Sequence, residues 1–230
     1  MTINSIWVFA QSSNGAPTSG TLELLTKARS LSSQVAAFVG GDATAIAGAL
    51  GEYGATKVYA TGDLAGKLPG VAVSSAMKAV IDGGESPTAI IFPQSYEGRD
   101  TMARLSVKLN RTVLTNNIDI ADGPDGVAVT TPIFGGNTLV TTAFIGDGPF
   151  LAAFRPKSFV AESAGGGAPQ VVSVPVGDLG LCGSATVIAV HIEESSGPKL
   201  DEANIVVSGG RGLGEAAKYS MIEELAKLLK

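Results

Sequence analysis

Residues 5–39 read SIWVFAQSSNGAPTSGTLELLTKARSLSSQVAAFV. Residues 5–11 and 34–39 are short, nearly continuous apolar runs, the length and composition of buried strands. Between them, residues 21–31 place Leu22, Leu25 and Ala28 or Arg29 at the three-and-four spacing of one helix face. A strand, a helix and a second strand in this order predict a parallel pair bridged by a covering helix.

The pattern repeats outward. Gly40-Gly41-Asp42 turns the chain, with Asp42 able to cap a small-residue helix over 43–53. Residues 57–61 (KVYAT) are a third strand, 71–82 a helix, and 88–93 (TAIIFP) a fourth strand with the unbroken apolar run of a position buried on both faces. A helix follows over 96–109, with Met102, Leu105 and Leu109 on one side and Arg99, Arg104 and Lys108 towards solvent. These units predict an α/β fold, a mainly parallel Rossmann-like sheet with helices on both faces.

From 112 to 160 the texture changes. Segments 126–133, 138–145 and 149–154 are separated by Phe134-Gly135-Gly136-Asn137 and Gly146-Asp147-Gly148, which predicts an antiparallel extension. Residues 162–169 (ESAGGGAP) read as a flexible connector, and 171–176 and 185–193 as further extended segments. After Ser195-Ser196-Gly197-Pro198 the sequence predicts a strand at 204–208, a glycine-rich loop, and an amphipathic helix over 215–229 bearing Met221, Ile222, Leu225, Leu228 and Leu229. One strand and one helix cannot bury both faces of that strand. The expected division is therefore 1–200 as a subunit-interface domain and 201–230 as the opening of a second α/β domain, truncated after its first unit.

Composition limits the function. Charged residues are 16% of the chain and apolar ones 45%, so charge-driven disorder is excluded. A net charge of −5 opposes a phosphate backbone at long range and argues against nucleic-acid binding. So few charges also suit a surface partly covered by another subunit. The single cysteine, Cys182, forms no internal disulfide, no run approaches a membrane span, and Met1-Thr2-Ile3-Asn4 lacks the basic start of a secretory signal. The expected compartment is the cytoplasm.

The sharpest local feature is Ser208-Gly209-Gly210-Arg211-Gly212-Leu213-Gly214. Amides free of side chains there can meet an anion at a helix start, with the Arg211 guanidinium adding a fixed charge, or the segment is an ordinary glycine turn. The dinucleotide fingerprint fails, because Glu215 stands where Gly210 and Gly212 would require the third glycine. His191, the only histidine, reads as a strand residue facing solvent or a neighbouring carboxylate, and Cys182 as a small apolar packing residue. Glu215, Glu223 and Glu224 read as solvated. Gly98-Arg99-Asp100 either caps its helix or meets a partner. No nucleophile elbow, Walker loop or histidine pair is present, so no catalytic residue is assigned. A nucleotide-binding sensor using Gln11-Ser12-Ser13-Asn14-Gly15 and a purely structural interaction subunit remain alternatives.

The residues resemble one family. Ser196-Gly197-Pro198-Lys199-Leu200 followed by 203–213 (ANIVVSGGRGL) is similar to the entry into the flavin domain of electron transfer flavoprotein alpha subunits. Residues 132–137 (PIFGGN), 154–159 (FRPKSF) and 6–10 (IWVFA) support it. The resemblance implies a heterodimer with a beta subunit and one FAD held mainly by the alpha subunit's C-terminal domain. It also implies electron passage from flavin dehydrogenases, such as the acyl-CoA dehydrogenases of fatty acid β-oxidation, to a quinone oxidoreductase. Arg211 carries over as an FAD contact, flanked by Gly210 and Gly212; a permanent cation suits an anionic reduced flavin and its diphosphate. The family's further flavin-binding segments lie beyond residue 230, so this chain alone is expected to retain FAD poorly or not at all.

Overall fold

The structure, a computed structural model, describes residues 3–191, 200, 203 and 205–229, and divides into two compact units, Met1–Ala189 and Val190–Lys230. The first unit begins with β1 (Ser5–Ala10), the two-residue strands β2 (Ser12–Ser13) and β3 (Ala16–Pro17), α1 (Ser19–Leu31), β4 (Gln34–Val39), α2 (Ala47–Glu52) and β5 (Lys57–Ala60). It continues with α3 (Pro69–Asp82), β6 (Ala89–Pro93), α4 (Tyr96–Leu109), β7 (Val113–Asn117), β8 (Asp119–Gly123), β9 (Gly126–Ile133), β10 (Thr138–Ala143), β11 (Phe150–Phe154) and β12 (Gln170–Ser173).

Seven strands form one parallel sheet in the order β12-β5-β4-β1-β6-β11-β7. Alternate side chains of a strand face opposite ways, so β1 sends Ile6, Val8 and Ala10 into one core and Trp7 and Phe9 into the other. Leu24, Leu25 and Ala28 of α1 and Leu50 of α2 close the first core; Val73, Ala76 and Met77 of α3 and Met102 and Leu105 of α4 close the second. Each large side chain removed from water in this way contributes about 1.5–3 kcal/mol. The helices start where local chemistry permits. Thr18 caps α1 by accepting from the Thr21 N–H, Pro69 opens α3, and Ser95 caps α4 by accepting from the Gly98 N–H. Asn110, left-handed at φ 52°, ends α4. Asp42 instead accepts from the backbone and hydroxyl of Thr44, and α2 spans only part of the helix expected there.

The antiparallel extension is a three-stranded sheet, β10-β9-β8, whose Ile120, Val127 and Val129 join the first core. One of its expected segments, 149–154, lies elsewhere, as does the strand that opens the 112–160 stretch. β7 and β11 run parallel within the main sheet, β11 between β6 and β7. FLAAF lacks polar alternation because both of its faces are covered, the mark of a parallel interior strand.

The expected flexible connector is a pinned strap. The Glu162 N–H donates to Thr26 Oγ1 of α1, the Ala164 N–H to the Glu52 carbonyl, and Ser163 Oγ to Glu52 Oε1. Gly51 and Gly166 pass so closely that a side chain on either would strike the other strand of chain. The strap delivers the backbone to β12, which pairs with β5. Residues 185–191 join no sheet, with the Val187 N–H donating to the Gly66 carbonyl at 2.9 Å; residues 192 and 193 lie outside the described residues.

In the second unit, 205–210 form no strand, so the predicted strand at 204–208 is absent from its described part. A 3-10 turn, Arg211–Leu213, and a second, Ala216–Tyr219, lead into α5 (Ser220–Leu228), none of whose residues is buried. The stretch 196–199 of the family signature lies outside the described residues.

Candidate functional site

The strand order reverses between β1 and β6, since α1 and β4 build one way from β1 and the chain builds the other way from β6. Ligands of open parallel sheets bind beyond the carboxyl ends of the strands at such a reversal. Here the polar groups at that position satisfy one another. Gln11, the first residue after β1, donates from Nε2 to Glu97 Oε2 at 2.7 Å and accepts at Oε1 from Ser95 Oγ at 2.7 Å. Its backbone N–H donates to Thr21 Oγ1 at 2.8 Å, and its carbonyl accepts from the Thr18 N–H at 2.9 Å. Residues 12–17 fold into the small hairpin β2–β3. The loop of the nucleotide-sensor alternative is thus a polar turn whose leading side chain is already engaged. The cap of α4 is Ser95, and Asp100 pairs with Arg104 at 2.9 Å, so Gly98-Arg99-Asp100 does not supply the capping side chain.

The sequence-predicted cofactor residues sit together on the 3-10 turn. The Leu213 N–H donates to the Gly210 carbonyl at 3.0 Å and the Gly214 N–H to the Arg211 carbonyl at 3.1 Å. Arg211 is exposed. The glycines divide by role. A side chain on Gly209 would displace the flexible ends of Leu213 and Ile222, whereas Gly214 has φ 82° and is the glycine that the turn itself requires. Side chains on Gly210 or Gly212 would meet no atom of the chain within 4 Å. Two bare backbone positions beside an outward guanidinium fit the close approach of an anionic group such as a diphosphate. The amides of the turn are not at the start of α5, from which Gly214 and the second 3-10 turn separate them.

Of the remaining sequence candidates, His191 is exposed, and Glu215, Glu223 and Glu224 are solvated. Cys182 is exposed on a short 3-10 turn, which corrects its reading as a packing residue. Among the described residues no group of acidic, histidine or cysteine side chains can hold a metal, and no helix is long and apolar enough to cross a membrane.

Sequence reading missed Glu23. It is buried on α1, and that burial raises its carboxyl above the ordinary range. The backbone N–H groups of Phe159, Lys157 and Ser158 and the charge of Lys157 pull the other way. The carboxyl thereby seats the Arg155–Phe159 turn, in which Lys157 has φ 62°. Its only sequence signal was an acid between two leucines on a helix face.

These features define a doubly wound α/β body whose switch point is closed by its own side chains, with a separate unit offering a glycine-flanked arginine. The electron transfer flavoprotein domain matches residues 6–179, which lie wholly in the first unit. The chain is 33% identical over 227 residues to the electron transfer flavoprotein subunit alpha of Syntrophomonas wolfei subsp. wolfei, covering 97% of this chain and 70% of that one. It is 31% identical over 228 residues to the subunit alpha of Mycobacterium leprae, covering 96% and 69%, and 28% identical over 217 residues to that of Bacillus subtilis, covering 91% and 65%. The chain belongs to the electron transfer flavoprotein family, and the relatives it resembles are alpha subunits.

Proposed function

We propose that the chain serves as the alpha subunit of a heterodimeric electron carrier, paired with an electron transfer flavoprotein beta subunit and acting in the cytoplasm. It accepts electrons from flavin dehydrogenases such as the acyl-CoA dehydrogenases of fatty acid β-oxidation and passes them to a quinone oxidoreductase. The observation that carries this reading is the family match along the whole seven-stranded body, joined to relatives aligned over nearly the entire chain. In this reading its work is carriage of electrons and not substrate turnover, as the electron transfer flavoprotein relatives suggest.

FAD, when bound, supplies reversible electron uptake; the residues of this chain supply its contacts. Arg211 offers a planar guanidinium with several donors, and the open backbone at Gly210 and Gly212 admits a diphosphate or ring edge without displacing a side chain. Residues 201–230 are the flavin-contacting part and 1–200 the subunit-interface part. One guanidinium and two bare amides are too few contacts for the chain alone to keep FAD through gel filtration.

The test is to titrate FAD, by quenching of its fluorescence, into the chain mixed with the beta subunit of the same organism. Arg211→Ala is expected to weaken binding by about 10- to 100-fold, the range of one hydrogen bond to a charged group, and Arg211→Lys by less. Unchanged affinity in Arg211→Ala defeats the assignment of that residue. A mixture that takes up no flavin, and no electrons from an acyl-CoA dehydrogenase with its substrate, defeats the carrier reading.

A further inference from the structure

The β9–β10 hairpin is unlike the rest of the surface. Residues 126–146 contain no Asp, Glu, Lys, Arg or His, yet Phe134 is 79% exposed, Leu139 60% and Ile145 97%. β10 is the edge of its sheet, paired with β9 in an unbroken register from Thr138↔Ile133 to Ala143↔Ala128. The Phe144 N–H donates to the Val127 carbonyl at 2.9 Å, which fixes the alternation of an antiparallel pair. Thr138, Val140 and Thr142 then bond to β9, while the backbone N–H and C=O groups of Leu139, Thr141 and Ala143 face the open edge. Natural sheets blunt such edges with charges, proline or bulges, because a bare edge templates another strand; β10 has none of these.

We propose that the outer edge of β10 receives an extended strand from the partner subunit, uncharged along its length and carrying a basic residue at the end that meets Asp125 and Asp147. This inference rests on the heterodimer proposed above. The charge pattern selects the occupant. An uncharged strand matches this edge, since the hairpin offers no charge beside Leu139 and Thr141 with which a charged one could pair. At the Ala143 end, a cavity of about 400 Å³ is lined by Val127, Phe144, Ile145, Phe150, Asp125 and Asp147, with both carboxylates exposed and neither in an ion pair among the described residues. It accepts an apolar side chain on a stem that ends in a cation. Main-chain bonds supply the affinity of such strand addition, and the alternate side-chain sites its specificity.

The experiment measures binding of the chain to the beta subunit of the same organism by titration calorimetry, with amide exchange followed by NMR. In the complex, the amides of Leu139, Thr141 and Ala143 are expected to exchange at least ten-fold more slowly than in the free chain. Thr141→Pro, which removes an outward N–H and no bond to β9, and Leu139→Glu, which leaves the backbone intact, are each expected to weaken binding ten-fold or more. Binding within two-fold of wild type in both variants, or unprotected amides at the three positions, overturns the edge proposal and leaves the heterodimer standing. A wild-type chain that does not bind the beta subunit overturns both. A homodimer by light scattering that is lost in the same two variants shows a second copy of this chain to be the occupant, and overturns the proposal likewise.

Discussion

Gln11 and Glu97 are joined by a 2.7 Å hydrogen bond across the reversal point of the sheet, linking the end of β1 to the first turn of α4. The bond occupies the place where related sheets keep a ligand, so the carboxyl edge of the body is a structural seam. Gln11→Ala removes this bond and the one from Ser95, at about 0.5–1.5 kcal/mol each. The expected outcome is a loss of about 1–3 kcal/mol in urea unfolding, while ATP and AMP leave the melting temperature of the wild-type chain unchanged. A melting shift with either nucleotide would favour the sensor reading instead.

Two glycine substitutions should move stability in opposite directions. A side chain on Gly98 would overlap the Pro93 carbonyl, where α4 begins against the end of β6. Gly98→Ala is expected to cost about 1–3 kcal/mol by overpacking. Gly48 lies exposed in α2 with nothing near its added methyl, so Gly48→Ala is expected to stabilise by about 0.4–1 kcal/mol. Thermal melts of the two variants beside wild type check both signs.

Glu23 imposes a pH slope. Its folded carboxyl titrates above the ordinary value, so within that window the native chain holds a proton that the unfolded chain has released. Stability on its account is full below the ordinary value and falls as pH rises through the raised one. Glu23→Gln cannot ionise and lacks this slope. The difference in unfolding free energy between wild type and Glu23→Gln, measured from pH 4 to pH 8, should shift against wild type with rising pH. A flat difference would show that the N–H groups of the turn fully compensate burial.

Lys57 Nζ donates to Glu85 at 2.8 Å and to Tyr59 Oη at 3.2 Å, tying the start of β5 to the turn after α3. Hydrogen bonds from Lys57 and Tyr59 lower the Glu85 carboxyl, and bonds to Glu85 and Tyr59 raise the Lys57 ammonium. The carboxyl's contribution is present above its ordinary value and lost as pH falls through the lowered one; the ammonium's persists until pH rises through its raised value. Both groups are partly solvated, so Glu85→Gln should cost no more than about 0.2–1 kcal/mol, and less in 1 M salt.

Much of the body was legible because its signals are local. The runs that became β1, β4 and β6 and the helix face of Met102 and Leu105 were readable from period and length alone. β11 was misplaced because an apolar pentapeptide does not say which neighbour it pairs with; that is settled by β6 and β7, far away in sequence. Residues 162–169 look like a linker by composition, since glycine serves close packing as well as freedom. Ile205–Ser208 has strand composition but forms no strand, as a lone β-branched run has no ladder to join. At the candidate site, Arg211 with Gly210 and Gly212 could be picked out by spacing. Which glycine the turn itself requires could not, because the positive φ of Gly214 is set by the turn and not by spacing.

The strap across α1 and α2 has no helix of its own, and borrows its anchorage from Thr26 and Glu52. The outermost strand β12 therefore depends on two helices that it does not touch through its ladder. If the end of α2 frays, the strap loses its footing and β5 loses its outer neighbour in the same event. That corner of the sheet should open as one cooperative block, releasing its protected amides together and ahead of the central strands.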